Sequence, residues 1–105
     1  GPAPGADAVP PGPLPLIVET DTIRIAWTPP AGTSLTVLRY QLQRSVNNGP
    51  WSYFGTGGIS SNIDANATQY PDFDVASGNS YSYRIRAIYT NSRTSPWVEF
   101  RGVTL

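Results

Sequence analysis

The segment from Tyr81 to Ala87 alternates strictly in character and constrains the fold more than any other part of the chain. Its polar members are Ser82, Arg84 and Arg86. The alternate positions are Tyr81, Tyr83, Ile85 and Ala87. A period of two places these two sets on opposite faces of a β-strand. The segment therefore predicts a strand with one face in a core and the other in water, as in two antiparallel sheets packed face to face.

Similar short segments occur along the rest of the chain, separated by turn residues. They are residues 14–18, 22–28, 38–46, 51–55, 68–73 and 97–105, with a weaker one at 59–63. The side chains that we expect to point into the core there are Ile23, Ile25, Trp27, Leu38, Tyr40 and Leu42. Asn48-Gly49 predicts a hairpin turn, because both residues tolerate positive φ, and Gly102 predicts a bulge in the last strand. No segment has a convincing helical period, so about seven strands joined by turns predict an all-β antiparallel sandwich.

Four segments, in their order and spacing, resemble the fibronectin type III family. Ile23-Arg24-Ile25-Ala26-Trp27-Thr28-Pro29-Pro30 looks like the second strand of the family with its core Trp. Tyr40-Gln41-Leu42-Gln43-Arg44, followed by Trp51, is similar to the third strand. Val75, Gly78 and Tyr81 resemble the corner before the sixth strand, and Ser95-Pro96 resembles the start of the last one. The resemblance covers residues 13–105.

This resemblance implies a seven-stranded, immunoglobulin-like sandwich in which the Tyr81 hydroxyl returns to the backbone upstream of it. The family serves mainly as a spacer or recognition module in extracellular proteins and receptors. It also occurs beside catalytic domains in bacterial polysaccharide-degrading enzymes and in phage tail proteins. An immunoglobulin domain is disfavoured because the chain has no cysteine, and integrin binding is disfavoured because it has no Arg-Gly-Asp tripeptide.

The first 13 residues differ in composition from the rest of the chain. Residues 1–13 are Gly, Pro and Ala with one Asp and one Val, and they carry five of the 11 prolines. This composition predicts a semi-rigid linker, or in part a cloning remnant at Gly1-Pro2, ahead of one domain at residues 14–105. Because a strand-like run reaches Leu105 at the other end, we expect the domain to be a module of a longer protein.

The composition excludes most catalytic chemistry. The chain has no His and no Cys, and all seven basic residues are Arg. Ser-His-Asp and Cys-His arrangements and Schiff-base lysines are therefore impossible. The remaining carboxylate pair, Asp72 and Asp74, is interpreted as hydrogen bonding within a turn. Together with Asp64 these residues lack the dense spacing of a calcium loop, so we predict no enzyme activity, no cofactor and no metal.

Charge and hydropathy disfavour two classes of partner. The formal net charge is zero at pH 7, whereas a nucleic-acid-binding domain normally has a basic stripe. No apolar run approaches the ~20 residues of a membrane span, which predicts no membrane insertion. The partners that we expect are a protein or a glycan, and neighbouring domains of the same chain.

Four side chains form a possible ligand face. In the strand order that the resemblance implies, Arg39, Arg84, Arg86 and Trp97 fall on the outer face of three neighbouring strands. The alternative is a solvated sheet in which arginine stems cover Trp97 and Glu99 pairs with Arg84 or Arg86.

A second candidate is a possible aromatic platform. Trp51 and Tyr53 share one face of the predicted returning strand, with Phe54 on the other, and such exposed rings suit stacking on sugars. The alternative is that Trp51 closes the edge of the core. Asn66-Ala67-Thr68 fits the acceptor pattern for N-glycosylation.

These observations lead to two hypotheses of function. The first is a non-catalytic spacer or protein-interaction module of a larger multidomain protein that is extracellular or lies on a virion surface, with a role such as cell adhesion. The alternative is a carbohydrate-binding accessory module of a polysaccharide-degrading enzyme or a phage tail protein.

Overall fold

The computed structural model describes residues 7–105. In that part of the chain there are nine β-strands and one 3-10 helix, at Thr56–Ser61. The strands are β1 (Gly12–Pro13), β2 (Ile17–Glu19), β3 (Thr22–Thr28), β4 (Val37–Val46), β5 (Ile63–Asp64), β6 (Gln69–Asp72), β7 (Ser80–Tyr89), β8 (Val98–Glu99) and β9 (Val103–Thr104).

The strands form two sheets in which every pairing is antiparallel. In the first sheet, β3 pairs with β1 and β2 on one side and with β6 on the other. In the second sheet the order is β5-β4-β7, and β8 and β9 follow each other along the far side of β7. The all-β antiparallel sandwich is thereby confirmed. The strand count of seven was wrong: β1 lies before the first predicted strand, the last predicted strand is divided into β8 and β9, and β5 forms whereas residues 51–55 do not form a strand.

Alternation along β3, β4 and β7 builds the core between the sheets. On β3 and β7 every second residue is buried, as predicted. The rings of Trp27 and Tyr40 meet edge to face across the sheets with centroids 5.4 Å apart. Each such large side chain contributes about 1.5–3 kcal/mol by leaving water, and the remaining buried apolar residues are Ile23, Ile25, Leu42, Phe54, Ile63, Tyr81, Tyr83, Ile85, Ala87, Tyr89 and Phe100.

Leu38 departs from the predicted pattern, because its side chain is 50% exposed. The register between β4 and β7 shifts between Val37 and Arg39. One extra residue in β4 at this bulge turns Leu38 outward while leaving Tyr40 in the core. The prediction that Leu38 points inward was wrong for this reason.

The hairpin after β4 turns one residue earlier than predicted. Asn47 and Asn48 have φ values of 52° and 60°, and the Gly49 amide donates to the Val46 carbonyl at 2.9 Å. Two successive residues with positive φ are typical of a type I′ turn, which asparagine tolerates well. Gly49 therefore follows the turn, and its placement in the turn pair was wrong.

The region from residue 51 to residue 64 is less extended than predicted. Residues 51–55 form only an isolated bridge between Arg44 and Ser52. The weak strand predicted at 59–63 is mostly a 3-10 helix, followed by β5. Gly57 and Gly58 have φ values of 68° and 70°, which end any extended run there.

The corner before β7 is built as the resemblance implies. The Tyr81 hydroxyl accepts a hydrogen bond from the Ala76 amide at 2.8 Å and another from Asn79 Nδ2 at 3.2 Å. The bulge in the last strand is also present, since β8 and β9 pair with β7 in registers that differ by one residue. Gly102 lies in this interruption between β8 and β9.

The described part of the predicted linker contacts the sandwich. The Tyr89 hydroxyl donates to the Val9 carbonyl at 2.6 Å, and Thr33 Oγ1 donates to the Asp7 carbonyl at 2.7 Å. Pro11 is fully buried, and β1 itself precedes residue 14. The domain boundary at residue 14 stays a prediction, and Gly1-Pro2 lies outside the described residues. Within residues 7–105, no helix is both long and apolar enough to cross a membrane.

Candidate functional site

The outer face of the second sheet brings together most of the predicted ligand face. Register pairs Gln43 with Arg84 and Gln41 with Arg86 across β4 and β7. Arg84 donates to Gln43 Oε1 from Nε at 2.8 Å and from Nη2 at 2.6 Å. Arg86 donates from Nε to Gln41 Oε1 at 2.8 Å. Directly opposed residues on antiparallel strands lie close enough for such bonds, so both guanidiniums are held in one orientation.

Two tryptophan rings extend this arrangement. The guanidinium carbons of Arg84 and Arg86 lie 4.4 Å and 4.3 Å from the centroid of Trp97. Arg84 also lies 4.7 Å from the centroid of Trp51. Residues two apart on a strand are separated by about 6.6 Å, so the indole of Trp97 fits between the two guanidiniums. We call these four residues the Trp–Arg stack, and each cation–π contact in it contributes about 0.5–1 kcal/mol at an exposed site.

The two predicted sites therefore meet at Arg84. Trp51 lies half-buried on the outer side of the sheet and does not close the core. Phe54 takes that place, with its ring 5.7 Å from the ring of Tyr83. Tyr53 is half-buried and, within residues 7–105, has no ring contact with Trp51. The structure thus joins Trp51 to the arginines, while Tyr53 stays apart from both.

Arg39 and Glu99 lie at opposite borders of this face. Arg39 pairs in register with Asp64, whose Oδ1 accepts from the Asn66 amide at 2.7 Å. Among the described residues, the Arg39 guanidinium makes no hydrogen bond or ion pair, and Glu99 makes no ion pair with Arg84 or Arg86. In the structure, the glutamines and the tryptophans hold the arginines of this face, and Glu99 does not.

A second cluster lies inside the sandwich, around Asp72, which is 2% exposed. Its carboxylate accepts from Arg44 Nη1 at 2.9 and 3.1 Å and from the Tyr83 hydroxyl at 2.6 Å. It also accepts from the Asp74 amide at 3.1 Å. The turn bond was predicted, but the buried ion pair was missed. The available signal was the parity of β4, because Arg44 follows Tyr40 and Leu42 at inward-facing positions.

The environment of this cluster shifts two ionisation equilibria. Burial and the hydrogen bond to the Asp72 carboxylate raise the pKa of Tyr83 above its ordinary value. Burial lowers the pKa of Arg44, but the hydrogen bond and charge of Asp72 outweigh it, so this pKa is raised. Both groups thus keep their protons at neutral pH, and the Asp72 oxygens are engaged in structural bonds. The described residues contain no group of three His, Cys, Asp or Glu side chains that could hold a metal.

A groove of about 640 Å³ opens between β6 and the 3-10 helix. Its walls include the rings of Phe54 and Tyr70, which meet edge to face at 5.7 Å. Phe73 stands beside it and is 73% exposed. Sequence reasoning did not find this groove, because it forms only where the region after the hairpin folds against β6.

Comparisons with known proteins find relatives in fold alone. No family model matches the sequence, and no curated protein matches it. A solved structure of the twitchin kinase region from C. elegans, described as Fn31-NL-kin-CRD-Ig26, matches with a TM-score of 0.71 and 20% identity. That match covers 93% of this chain and 16% of the twitchin chain.

Two bacterial structures match as well. An Fn3-like protein from Clostridium thermocellum matches with a TM-score of 0.62 and 22% identity, over 90% of this chain and 94% of that one. The pectate lyase PelI from Erwinia chrysanthemi, solved in complex with tetragalacturonic acid, matches with a TM-score of 0.65 and 19% identity. The matched part is 89% of this chain and only 27% of the lyase chain.

Proposed function

From the fibronectin type III fold of this chain, we propose that it is a non-catalytic module of a larger multidomain protein, where it acts as a spacer and as a surface for protein contacts. The observation that carries this proposal is that the same fold occurs as one part of longer chains. In the twitchin and pectate lyase structures, the matched part is a small share of a longer chain. Following the resemblance, we propose that the parent protein is extracellular or lies on a virion surface.

The chemistry of the chain supports a non-catalytic role. With no His, Cys or Lys, only carboxylates and hydroxyls remain as reactive groups. Asp72 is occupied by Arg44 and Tyr83, and the Asp74 side chain is 94% exposed. An acid–base pair needs two carboxyls that face a bound substrate, and this pair is split between the interior and the solvent.

The outer face of the second sheet supports a role in protein contacts. Trp and Arg are over-represented among the residues that dominate binding energy at protein interfaces. The Trp–Arg stack presents two of each, held in place by Gln41 and Gln43. A surface that is already ordered loses less conformational entropy when a partner binds.

The test is an assay of the 105-residue protein against polysaccharide and peptide substrates. We expect no turnover above that of a matched Asp74→Asn variant. Turnover by the unaltered chain that Asp74→Asn abolishes would show an enzyme and overturn the proposal.

A second candidate is carbohydrate binding beside a catalytic domain, in a polysaccharide-degrading enzyme or a phage tail protein. Its support is the pectate lyase, in which the same fold occurs within an enzyme that was solved with an acidic oligosaccharide. Trp51 has one ring face on Arg84, which leaves the other for a sugar. Affinity electrophoresis in polygalacturonate should then retard the protein and not Trp51→Ala, and equal mobility of the two would remove this candidate.

A further inference from the structure

Two guanidiniums on the outer face of the second sheet have unused donors. Arg86 uses Nε on Gln41, so Nη1 and Nη2 have no hydrogen-bond partner among residues 7–105. The Arg39 guanidinium makes no hydrogen bond or ion pair in the same part of the chain. Arg84 differs, because two of its nitrogens converge on Gln43 and both Trp51 and Trp97 lie against it.

The register of the sheet brings Arg39 and Arg86 together. Gln41 is opposite Arg86 and Arg39 is opposite Ile88, so the two arginines are diagonal neighbours on one face. Diagonal neighbours lie about 7–8 Å apart, which long side chains can span. Their free nitrogens can therefore reach one group placed between them.

The acids near this pair do not neutralise it. Asp64 is opposite Arg39, but its Oδ1 is engaged by the Asn66 amide, and no Arg39–Asp64 ion pair forms. Glu99 is opposite Arg84, one step further from Arg39. Two positive charges with unused donors favour an anion, and the planar fork of a guanidinium matches the two oxygens of a carboxylate.

We propose that Arg39 and Arg86 form a carboxylate-binding site that takes the Asp and Glu side chains of an acidic segment in a protein partner. This inference rests on the proposed role in protein contacts and states the chemistry of the partner. Arg86 is already oriented by Gln41 and Trp97. Its side chain therefore loses little conformational entropy when a ligand binds.

A peptide carboxylate fits this face better than a sugar. Trp97 lies against Arg84 and Arg86, and Trp51 lies against Arg84. The Trp97 ring and one face of Trp51 are thereby occupied, whereas Nη1 and Nη2 of Arg86 remain open.

The test is a titration of the 105-residue protein with an oligo-glutamate peptide at low ionic strength, followed by tryptophan fluorescence. We expect saturable binding that weakens with added salt. Arg39→Gln and Arg86→Gln should each weaken it by roughly tenfold or more, because each removes a charge-assisted hydrogen bond to the carboxylate. The matched control is Arg24→Gln, which removes the same charge from the first sheet.

Three outcomes would overturn the proposal. They are no saturable binding, an equal loss in Arg24→Gln, and binding of polygalacturonate without binding of oligo-glutamate. The last outcome would favour the carbohydrate candidate. Circular dichroism checks that each variant still folds. An Arg39→Lys variant keeps the positive charge but loses the planar guanidinium, so an intermediate affinity of this variant would support the proposal. Absence of binding together with absence of turnover would leave the module proposal standing and remove only the carboxylate site.

Discussion

Arg44 and Arg86 both lie against an aromatic ring, yet they face opposite sides of the second sheet. The guanidinium of Arg44 is 5.1 Å from the centroid of Phe54 inside the sandwich, and Arg86 is 4.3 Å from that of Trp97 outside it. Arg44 has a carboxylate partner at 2.9 Å, whereas Arg86 has only the neutral amide of Gln41. Burial makes a charged partner obligatory, because an unpaired charge is costly away from water. The same residue type is therefore structural on one face and open to a partner on the other.

The largest expected effect is in the buried cluster. Asp72→Ala removes the buried carboxylate that pairs with Arg44 and leaves the Tyr83 hydroxyl without its acceptor. We expect the free energy of unfolding to fall by about 3–5 kcal/mol in chemical denaturation. Asp74→Ala is the control, since that side chain is 94% exposed and its loss should cost less than about 0.5 kcal/mol. Equal effects at both positions would erase the contrast between the buried and the exposed region.

The corner before β7 gives the next effect. Tyr81→Phe removes the hydroxyl that accepts two part-buried hydrogen bonds, from the Ala76 amide at 2.8 Å and from Asn79 Nδ2 at 3.2 Å. The expected loss of stability is about 1–3 kcal/mol. The comparison is Tyr53→Phe on the half-buried hairpin segment, where we expect almost no change. An unchanged denaturation midpoint for Tyr81→Phe would mean that the corner does not depend on its hydroxyl.

Alkaline pH should weaken the folded state in part through Tyr83 in the buried cluster. The pKa of Tyr83 is raised in the folded protein by burial and by Asp72, whereas the unfolded chain has the ordinary value of 10.0. This contribution to stability is complete below pH 10 and is lost as the pH rises from there towards the folded pKa, at about 1.4 kcal/mol per pH unit. Denaturation curves between pH 9 and pH 11 should show a steeper decline for the unaltered chain than for Tyr83→Phe. Parallel declines would contradict the assignment to Tyr83.

The smallest effect is expected in the Trp–Arg stack. Arg84→Gln removes two cation–π contacts on a solvated face, and exposed contacts of this kind contribute about 0.5–1 kcal/mol each. We expect a loss of no more than about 1–2 kcal/mol, with a clear change in tryptophan emission. A loss as large as that of Asp72→Ala would show that the stack is part of the folded core and not an accessible surface.

The sequence predicts those parts of the molecule in which local pattern and tertiary environment agree. β3 has the predicted limits, and Arg39, Arg84, Arg86 and Trp97 were placed on one face because parity is a local property. The contact of Trp51 with Arg84 was not predictable, since it depends on a turn at Asn47 and on a strand that does not form. The pairing of Arg44 with Asp72 joins residues 28 positions apart, and no local pattern encodes such a partner.

The edge strands of both sheets are short, and this affects how copies of the module behave at high concentration. A long, flat edge strand offers unpaired backbone groups to a second copy of the chain and so invites aggregation. Here the edge strands are short: β1, β5, β8 and β9 have two residues each and β2 has three. The longest, β6, has four residues and contains Pro71, which has no amide hydrogen to offer. Repeated side by side at high local concentration, such modules would resist joining edge to edge.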